Sequence, residues 1–296
     1  MQETATDRHG AKPPWIRARI GQGLAFQETR RRLRAHGLHT VCEEAACPNL
    51  GRCWSHGRAT IMILGARCTR GCRFCNVDKL QVLPPDPAEP RRVADAVRET
   101  GLKEVVITSV TRDDLPDGGA ALWAATVRAV HDAVPGIIVE VLVPDFGGRP
   151  GDIATVARER PAVFGHNLET VPRLYPHARP QADYARSLAV LRQASEAGLI
   201  TKTSLMLGLG ETFDEIGETL RDARAAGCRI FYAGQYLQPS ARHLPVARFL
   251  EPAEFDRVRD LAYAAGFGFV ASAPLVRSSY HEDGHSVFVR ECLMRA

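Results

Sequence analysis

Eight cysteines punctuate the 296-residue chain, at positions 42, 47, 53, 68, 72, 75, 228 and 292. Six of them lie between 42 and 75. Cys68-Thr-Arg-Gly-Cys72-Arg-Phe-Cys75 is a C-x3-C-x2-C loop. Three thiolates on one short loop suit three irons of a cubane [4Fe–4S] cluster and leave the fourth iron open to an external ligand. A structural zinc ion asks for four tetrahedral ligands, and no His or Cys follows Cys75 within the next twenty residues. The loop therefore points to a redox cluster. Phe74, just before the last cysteine, is a candidate to shield it.

Cys42, Cys47 and Cys53 form a second triplet, C-x4-C-x5-C. Here too three ligands appear where a closed site needs four. His36, His39 and His56 stand close by, so spacing alone leaves a cluster and a Cys3His zinc site both open. Disulfides are the other use of clustered cysteines. They belong to oxidising compartments, and the first ten residues hold Glu3 and Asp7 and no apolar run of the kind an export signal carries. The chain reads as cytosolic. No apolar run approaches membrane-spanning length. Apolar residues make up 45% and charged residues 24%, which indicates a folded globular protein. Net charge is +4, concentrated early: between residues 8 and 34 there are eight Lys or Arg against one acid, Glu28. Such an arm suits an acidic partner or is a solvated helix face.

These residues need a scaffold, and the rest of the chain supplies one. After an irregular start, with a helix expected over 24–34, β-branched runs alternate with helical stretches. Strands are expected at 60–64, 104–109, 137–143, 163–167, 201–207 and 230–235. Helices are expected near 87–100, 119–134, 152–160, 183–198, 212–226 and 252–265. Six strand–helix units in succession imply a parallel sheet with helical crossovers, as a partial barrel or an open doubly wound sheet. In either, chemistry gathers at the C-terminal strand ends. Cys68, Asp113, Asp114, Asn167, Glu169 and the 208–211 turn fall there.

The cysteine loop resembles that of the radical S-adenosylmethionine (SAM) superfamily. The resemblance narrows further in CEEAACPNLGRCW (42–54), ITSVTRDDLPDGGA (107–120), HNLETVPRLY (166–175), GLGETFDEI (208–216), GQYLQPS (234–240) and Pro-Leu-Val-Arg-Ser-Ser-Tyr (274–280). With KPPWIRARI from Lys12, these strings look like those of the lipoyl synthase family over nearly the whole chain. The resemblance implies an α/β fold, a partial (β/α)6 TIM-like barrel over 58–266. An N-terminal extension, 1–57, carries the auxiliary cysteines, and a C-terminal extension, 267–296, carries Arg-Ser-Ser-Tyr.

It also implies two [4Fe–4S] clusters. Cys68, Cys72 and Cys75 hold the one that cleaves S-adenosylmethionine; Cys42, Cys47, Cys53 and Ser279 hold the other, which donates sulfur. The implied reaction inserts two sulfurs, at C6 and C8, into an octanoyl chain on a carrier-protein lysine. The partners are octanoylated lipoyl domains or the glycine-cleavage H protein, an electron donor such as ferredoxin or flavodoxin, and cluster-repair proteins, with no nucleic acid and no membrane. Arg277 orients the serine loop or meets substrate. Phe74, Ser109, Asp114, Asn167, Glu169 and Gly210 are candidate S-adenosylmethionine contacts, though Asp, Asn and Gly at such places also serve as turn and cap residues. Cys228 reads as a buried thiol and Cys292 as an incidental tail residue. Gly65-Ala66, Gly165 and Glu282 depart from the family pattern without removing a cluster ligand. The alternatives are another radical SAM sulfur-inserting enzyme and a zinc-stabilised binding module.

Overall fold

The structure is a computed structural model and describes residues 12–17, 23–56, 58–79, 81–280, 282 and 284–295. Parts of the basic arm, including Arg8 and Arg19, lie outside the described residues.

Parallel strands covered on both faces read as nearly unbroken apolar runs; Ile138–Leu142 comes close, while Ile200–Leu207 also buries Thr201, Lys202, Thr203 and Ser204. In chain order the elements are α1 (Leu24–Ala35), β1 (His39–Thr40), α2 (Val41–Glu44), α3 (Leu50–Ser55), β2 (Thr60–Ile63), α4 (Glu89–Thr100), β3 (Glu104–Ser109), α5 (Ala120–Ala133), β4 (Ile138–Leu142), α6 (Pro150–Ala157) and β5 (Val163–Gly165). There follow α7 (Tyr175–Ala178), α8 (Tyr184–Glu196), β6 (Ile200–Leu207), α9 (Phe213–Ala225), β7 (Ile230–Gln235), α10 (Pro252–Ala264), β8 (Phe269–Ser272) and α11 (His285–Arg295). Local chemistry sets the joints. The α9 start is a capping box: the Glu215 N–H donates to the Thr212 hydroxyl at 3.3 Å, and the Glu215 carboxylate accepts from the Thr212 N–H at 2.8 Å. Pro90 in the first turn of α4 and Gly101 after it, at φ 65°, bracket that helix.

The strands form one sheet in chain order, β1 to β8. β1 runs antiparallel to β2, and every other pair is parallel. Among the described residues β1 and β8 do not pair, so the barrel stays open. The six expected strands are all present. The sheet also runs past residue 266, where the sequence reading ended the barrel, into β8. β8 lies between Gly268 and the Ala273-Pro274 exit and pairs in parallel with β7.

Inside the curved sheet lies a buried charge cluster. Lys202 of β6 donates to Glu140 of β4 at 2.7 Å, across the intervening β5. His285, the first residue of α11, reaches the same carboxylate at 3.2 Å, and its Nδ1 pairs with the Tyr232 hydroxyl at 2.9 Å. The C-terminal helix is thereby tied into the barrel interior. The chain just before it crosses the C-terminal end of β7: the Gln235 N–H donates to Pro274 O at 3.1 Å and the Ala273 N–H to Ala233 O at 3.2 Å. Gly234 makes the crossing feasible, because a Cβ there would stand 1.9 Å from Val276 O.

Candidate active site

The Cys68–Cys75 loop leaves β2 at the end where all the parallel strands terminate, and it is pinned on every side. The Cys68 N–H donates to Asp78 O at 2.8 Å, Thr69 N–H to Thr111 O at 3.1 Å, and Arg73 N–H to Ala178 O at 2.8 Å. Arg70, inside the loop and 6% exposed, clamps two carboxylates with one planar fork. It holds Asp113 after β3 at 2.7 and 2.7 Å, and Asp145 after β4 at 2.9 and 2.7 Å. Burial works against its charge, but the two carboxylates outweigh burial and raise its pKa. Asp145 is pulled well below the usual carboxylate range against its own burial, by hydrogen bonds from Arg70. Three thiols thus sit on a backbone that has little freedom.

The loop's sulfurs fit a cluster. Cys68 Sγ already accepts from the Arg70 and Thr111 N–H groups at 3.5 and 3.4 Å, the outer-shell bonding that tunes cluster thiolates. Burial pushes Cys72 up and Cys75 up to about 12, so each would give up a proton on ligating iron. Among the described residues no three of His, Cys, Asp and Glu converge as the ligands of one ion would.

The second triplet is carried by α2 and α3. Cys42 lies in α2, Cys47 between the helices, and Cys53 in α3. Burial raises all three thiols, Cys42 to about 11 and Cys53 to about 12. The C-terminal segment folds over them. Asn49 Nδ2 donates to Leu275 O at 2.6 Å, and the Arg52 guanidinium stacks over the Tyr280 ring at 5.5 Å. A small cavity results, walled by Cys42, Cys47, Cys53, Arg277 and Ser279 among others. The Arg277 guanidinium donates to carbonyls of its own turn, Val276 O at 2.6 Å and Pro274 O at 3.5 Å. Burial lowers its pKa and the neighbouring Cys47 raises it.

A second cavity of about 590 Å³ opens beside the first, within the range of small-molecule sites. Cys68, Cys72 and Cys75 line it, and so do Cys47, Arg277 and Ser279, so it borders both triplets. Phe74, Ser109, Asn167 and Glu169 line it too. Asp114 and Gly210 are not among the described residues on its wall. Asp114 instead takes a two-pronged bond from buried Arg112, at 2.8 and 2.8 Å. Gly210 sits in the turn before α9, where its carbonyl accepts from Arg173 at 2.8 Å. Ser109 spends its hydroxyl on Val110 O and accepts from the Trp123 indole at 3.1 Å.

Two wall residues escaped the sequence reading. His166 donates through Nδ1 to Val143 O at 2.9 Å, the tautomer following from the carbonyl acceptor. Burial, with Arg179 next, lowers its pKa to about 4, so Nε2 presents a bare lone pair. Arg179 donates to Asn167 O at 2.9 Å and stacks on Tyr175 at 5.2 Å. His166 Nε2, Asn167 Oδ1 and Arg179 Nε find no hydrogen-bond partner among the described residues. Buried polar atoms are seldom left so, which marks a wall prepared for a polar ligand. Glu169 holds a left-handed backbone, φ 69°, the strain that collects at functional sites. Burial raises its pKa while Arg179 and Asn167 pull it down. His166 lay inside a quoted string and Arg179 beyond its end; only the fold reveals that both face the cavity.

Residues 62–223 match the family model of the radical SAM superfamily. The lipoyl synthase of Methylococcus capsulatus (strain Bath) is 55% identical over 282 residues, covering 94% of this chain and 87% of its own. The lipoyl synthase of Rubrobacter xylanophilus is 54% identical, covering 93% and 86%, and that of Chlorobaculum tepidum 49%, covering 93% and 95%. The chain belongs to the lipoyl synthase family. It is accordingly a radical SAM sulfurtransferase, with S-adenosylmethionine and a [4Fe–4S] cluster as cofactors. Solved structures agree on the fold. Methylornithine synthase (PylB) superposes with a TM-score of 0.54 at 14% identity, covering 93% of this chain and 94% of that one. Streptococcus suis SuiB bound to S-adenosylmethionine gives 0.58 at 12%, covering 84% and 56%.

Proposed function

We propose that Cys68, Cys72 and Cys75 hold the radical-generating cluster, and that Cys42, Cys47, Cys53 and Ser279 hold a second [4Fe–4S] cluster that donates sulfur at C6 and C8 of an octanoyl chain. One observation carries the reading: Ser279, 226 residues beyond Cys53, shares a cavity wall with all three N-terminal cysteines. When bound, the clusters and S-adenosylmethionine supply a carbon radical able to take hydrogen from unactivated C–H bonds, and the sulfur that replaces it.

The protein's own residues do the rest. Arg70 fixes the loop that carries the first three thiolates. His166 Nε2 and Asn167 Oδ1 accept from ligand N–H or O–H groups, and Arg179 Nε donates to a ligand oxygen. Phe74, Met206, Val110 and Leu142 give the cavity an apolar side suited to an alkyl chain and poor for water. Arg277 offsets the negative charge of thiolate at Cys47, and the turn it stabilises presents Ser279. Oxygen is a poorer partner than thiolate for a soft Fe–S centre, so Ser279 is a ligand suited to release.

The substrate proposed is an octanoyl chain amide-linked to a lysine of a carrier protein, a lipoyl domain or glycine-cleavage H protein. Electrons come from ferredoxin or flavodoxin, repair proteins rebuild the second cluster, and the enzyme works in the cytosol. The segment 41–55 before the barrel and the segment 273–280 after β8 close the second site onto the barrel. The test is anaerobic. Iron- and sulfide-reconstituted protein is incubated with S-adenosylmethionine, a reductant and an octanoyl-lysyl peptide, and the peptide is weighed. Gain of two sulfurs, as the dithiol under reductant and with loss of two hydrogens after reoxidation to the disulfide, supports the reading. Deoxyadenosine without sulfur in the peptide rejects this substrate. Protein that takes up zinc in place of iron rejects the cluster assignment.

A further inference from the structure

Cys53 and Ser279 are flanked by residues that touch each other. Arg52 precedes Cys53 in α3, and Tyr280 follows Ser279. The Arg52 guanidinium lies over the Tyr280 ring, 5.5 Å from its centroid, within the reach of a cation–π contact. Arg52 is exposed, and no carboxylate among the described residues pairs with it. Three residues back, Asn49 stands at the start of the same helix and is 6% exposed. Its side-chain amide does not cap the helix but donates to Leu275 O at 2.6 Å. Residues three apart share one face of a helix. One face of α3 therefore holds the C-terminal segment at two points, 275 and 280. Ser279 lies between them, on the cavity wall it shares with Cys42, Cys47 and Cys53.

We propose that Arg52 is a positioning residue for the second cluster, its stack on Tyr280 forming the outer half of a two-point clasp that seats Ser279 against the three cysteines. The proposal rests on the reading that Cys42, Cys47, Cys53 and Ser279 hold that cluster. The Asn49–Leu275 bond is the hinge of the clasp, because breaking it would strand a buried polar group. The stack is within reach of water, is easier to open, and adjoins the residue that has to leave. Opening at 280 swings Ser279 away while 275 stays in place. The stack thus governs how readily the serine-bound iron is uncovered.

The test uses the full chain carrying Cys68→Ala, Cys72→Ala and Cys75→Ala, which leaves the N-terminal triplet as the only cluster site. In that background Arg52→Met, which keeps the stem and removes the charge, is compared with Tyr280→Leu, Tyr280→Phe, the Arg52→Met/Tyr280→Leu double variant and Ser279→Ala. Iron and sulfide per chain are measured after reconstitution. Ferricyanide and a chelator are then added, and loss of one iron is timed by the EPR signal of the three-iron cluster. Arg52→Met and Tyr280→Leu should keep the background's iron content, and each should lose the fourth iron on the order of threefold faster. Tyr280→Phe, which keeps the ring, should lose it at the background rate. The double variant should be no faster than either single one, because both remove the same contact. Background rates in Arg52→Met and Tyr280→Leu overturn the proposal. So does a double variant in which the two effects multiply, or Tyr280→Phe as fast as Tyr280→Leu. Ser279→Ala at the background rate overturns the reading of the serine as a ligand, and a background that takes up no iron overturns the cluster reading; the clasp falls with either.

Discussion

Arg70 shows how one side chain can set a site it never enters. Its fork joins the cysteine loop to Asp113 and Asp145, so two strand ends and the loop move together. Lysine keeps the charge but not the fork. Asp145→Asn leaves the buried guanidinium with one carboxylate, Asp113, in place of two, at a cost of about 1–3 kcal/mol. Thermal unfolding should show that loss, and reconstituted iron per chain should fall with it. His166 makes a pH prediction. Its pKa is about 4 in the fold against a usual 6.5. Across that interval the folded state binds fewer protons than the unfolded one, so stability falls as pH drops from about 6.5 to about 4, by up to about 3 kcal/mol. His166→Gln should flatten this slope in melts recorded across the interval; an unchanged slope would assign it elsewhere. Residue identity was also where the sequence misled. Asp113 and Asp114 look interchangeable in the string, yet one clamps Arg70 and the other closes on Arg112, and only the turn of the backbone after β3 separates them.

At the scale of elements, the segment between β8 and α11 matters most. It rides over Gly234 with no room for a Cβ. Gly234→Ala should push the segment, and Ser279 with it, off the cysteine triplet. Misplacement on the order of 1 Å can cost about a hundredfold in rate. Sulfur insertion should fall that far while deoxyadenosine formation continues; equal loss of both would place the damage in the barrel instead. Ser279→Ala should give the same split without moving the backbone. The helices of the βα units and the six strands β2 to β7 were legible because β-branched runs and Ala-, Glu- and Arg-rich stretches each agree with their local structure. β1, with two residues, and β8, with four, were not, because pairing with a neighbour rather than their own composition makes them strands. The Ser279 contact was equally invisible to local pattern, since it joins residues more than two hundred apart.

For the whole molecule, the open sheet has to be held in its curve by something other than a closing strand pair. The Glu140 cluster does part of this, linking β4, β6, β7 and α11 through one carboxylate. Burial alone would raise the Glu140 pKa, but Lys202 and His285 bring it down to about 2. Glu140→Gln strips Lys202 of its buried ion-pair partner and His285 of the carboxylate it reaches, for about 3–5 kcal/mol, which in a chain of this size lowers Tm on the order of 10 °C. Calorimetry checks it, and a Tm within a degree or two of the parent would mean that α11 is held by its apolar face alone.

The meeting of Ser279 with Cys42, Cys47 and Cys53 also sets an order of events in the cell. Ribosomes deliver the N-terminus first. The serine is made 226 residues after the last of the three cysteines. A cluster closed by all four, as proposed, cannot be completed until the serine has emerged and the chain between has folded. The Cys68–Cys75 loop draws its three thiols from one short stretch and has no such wait.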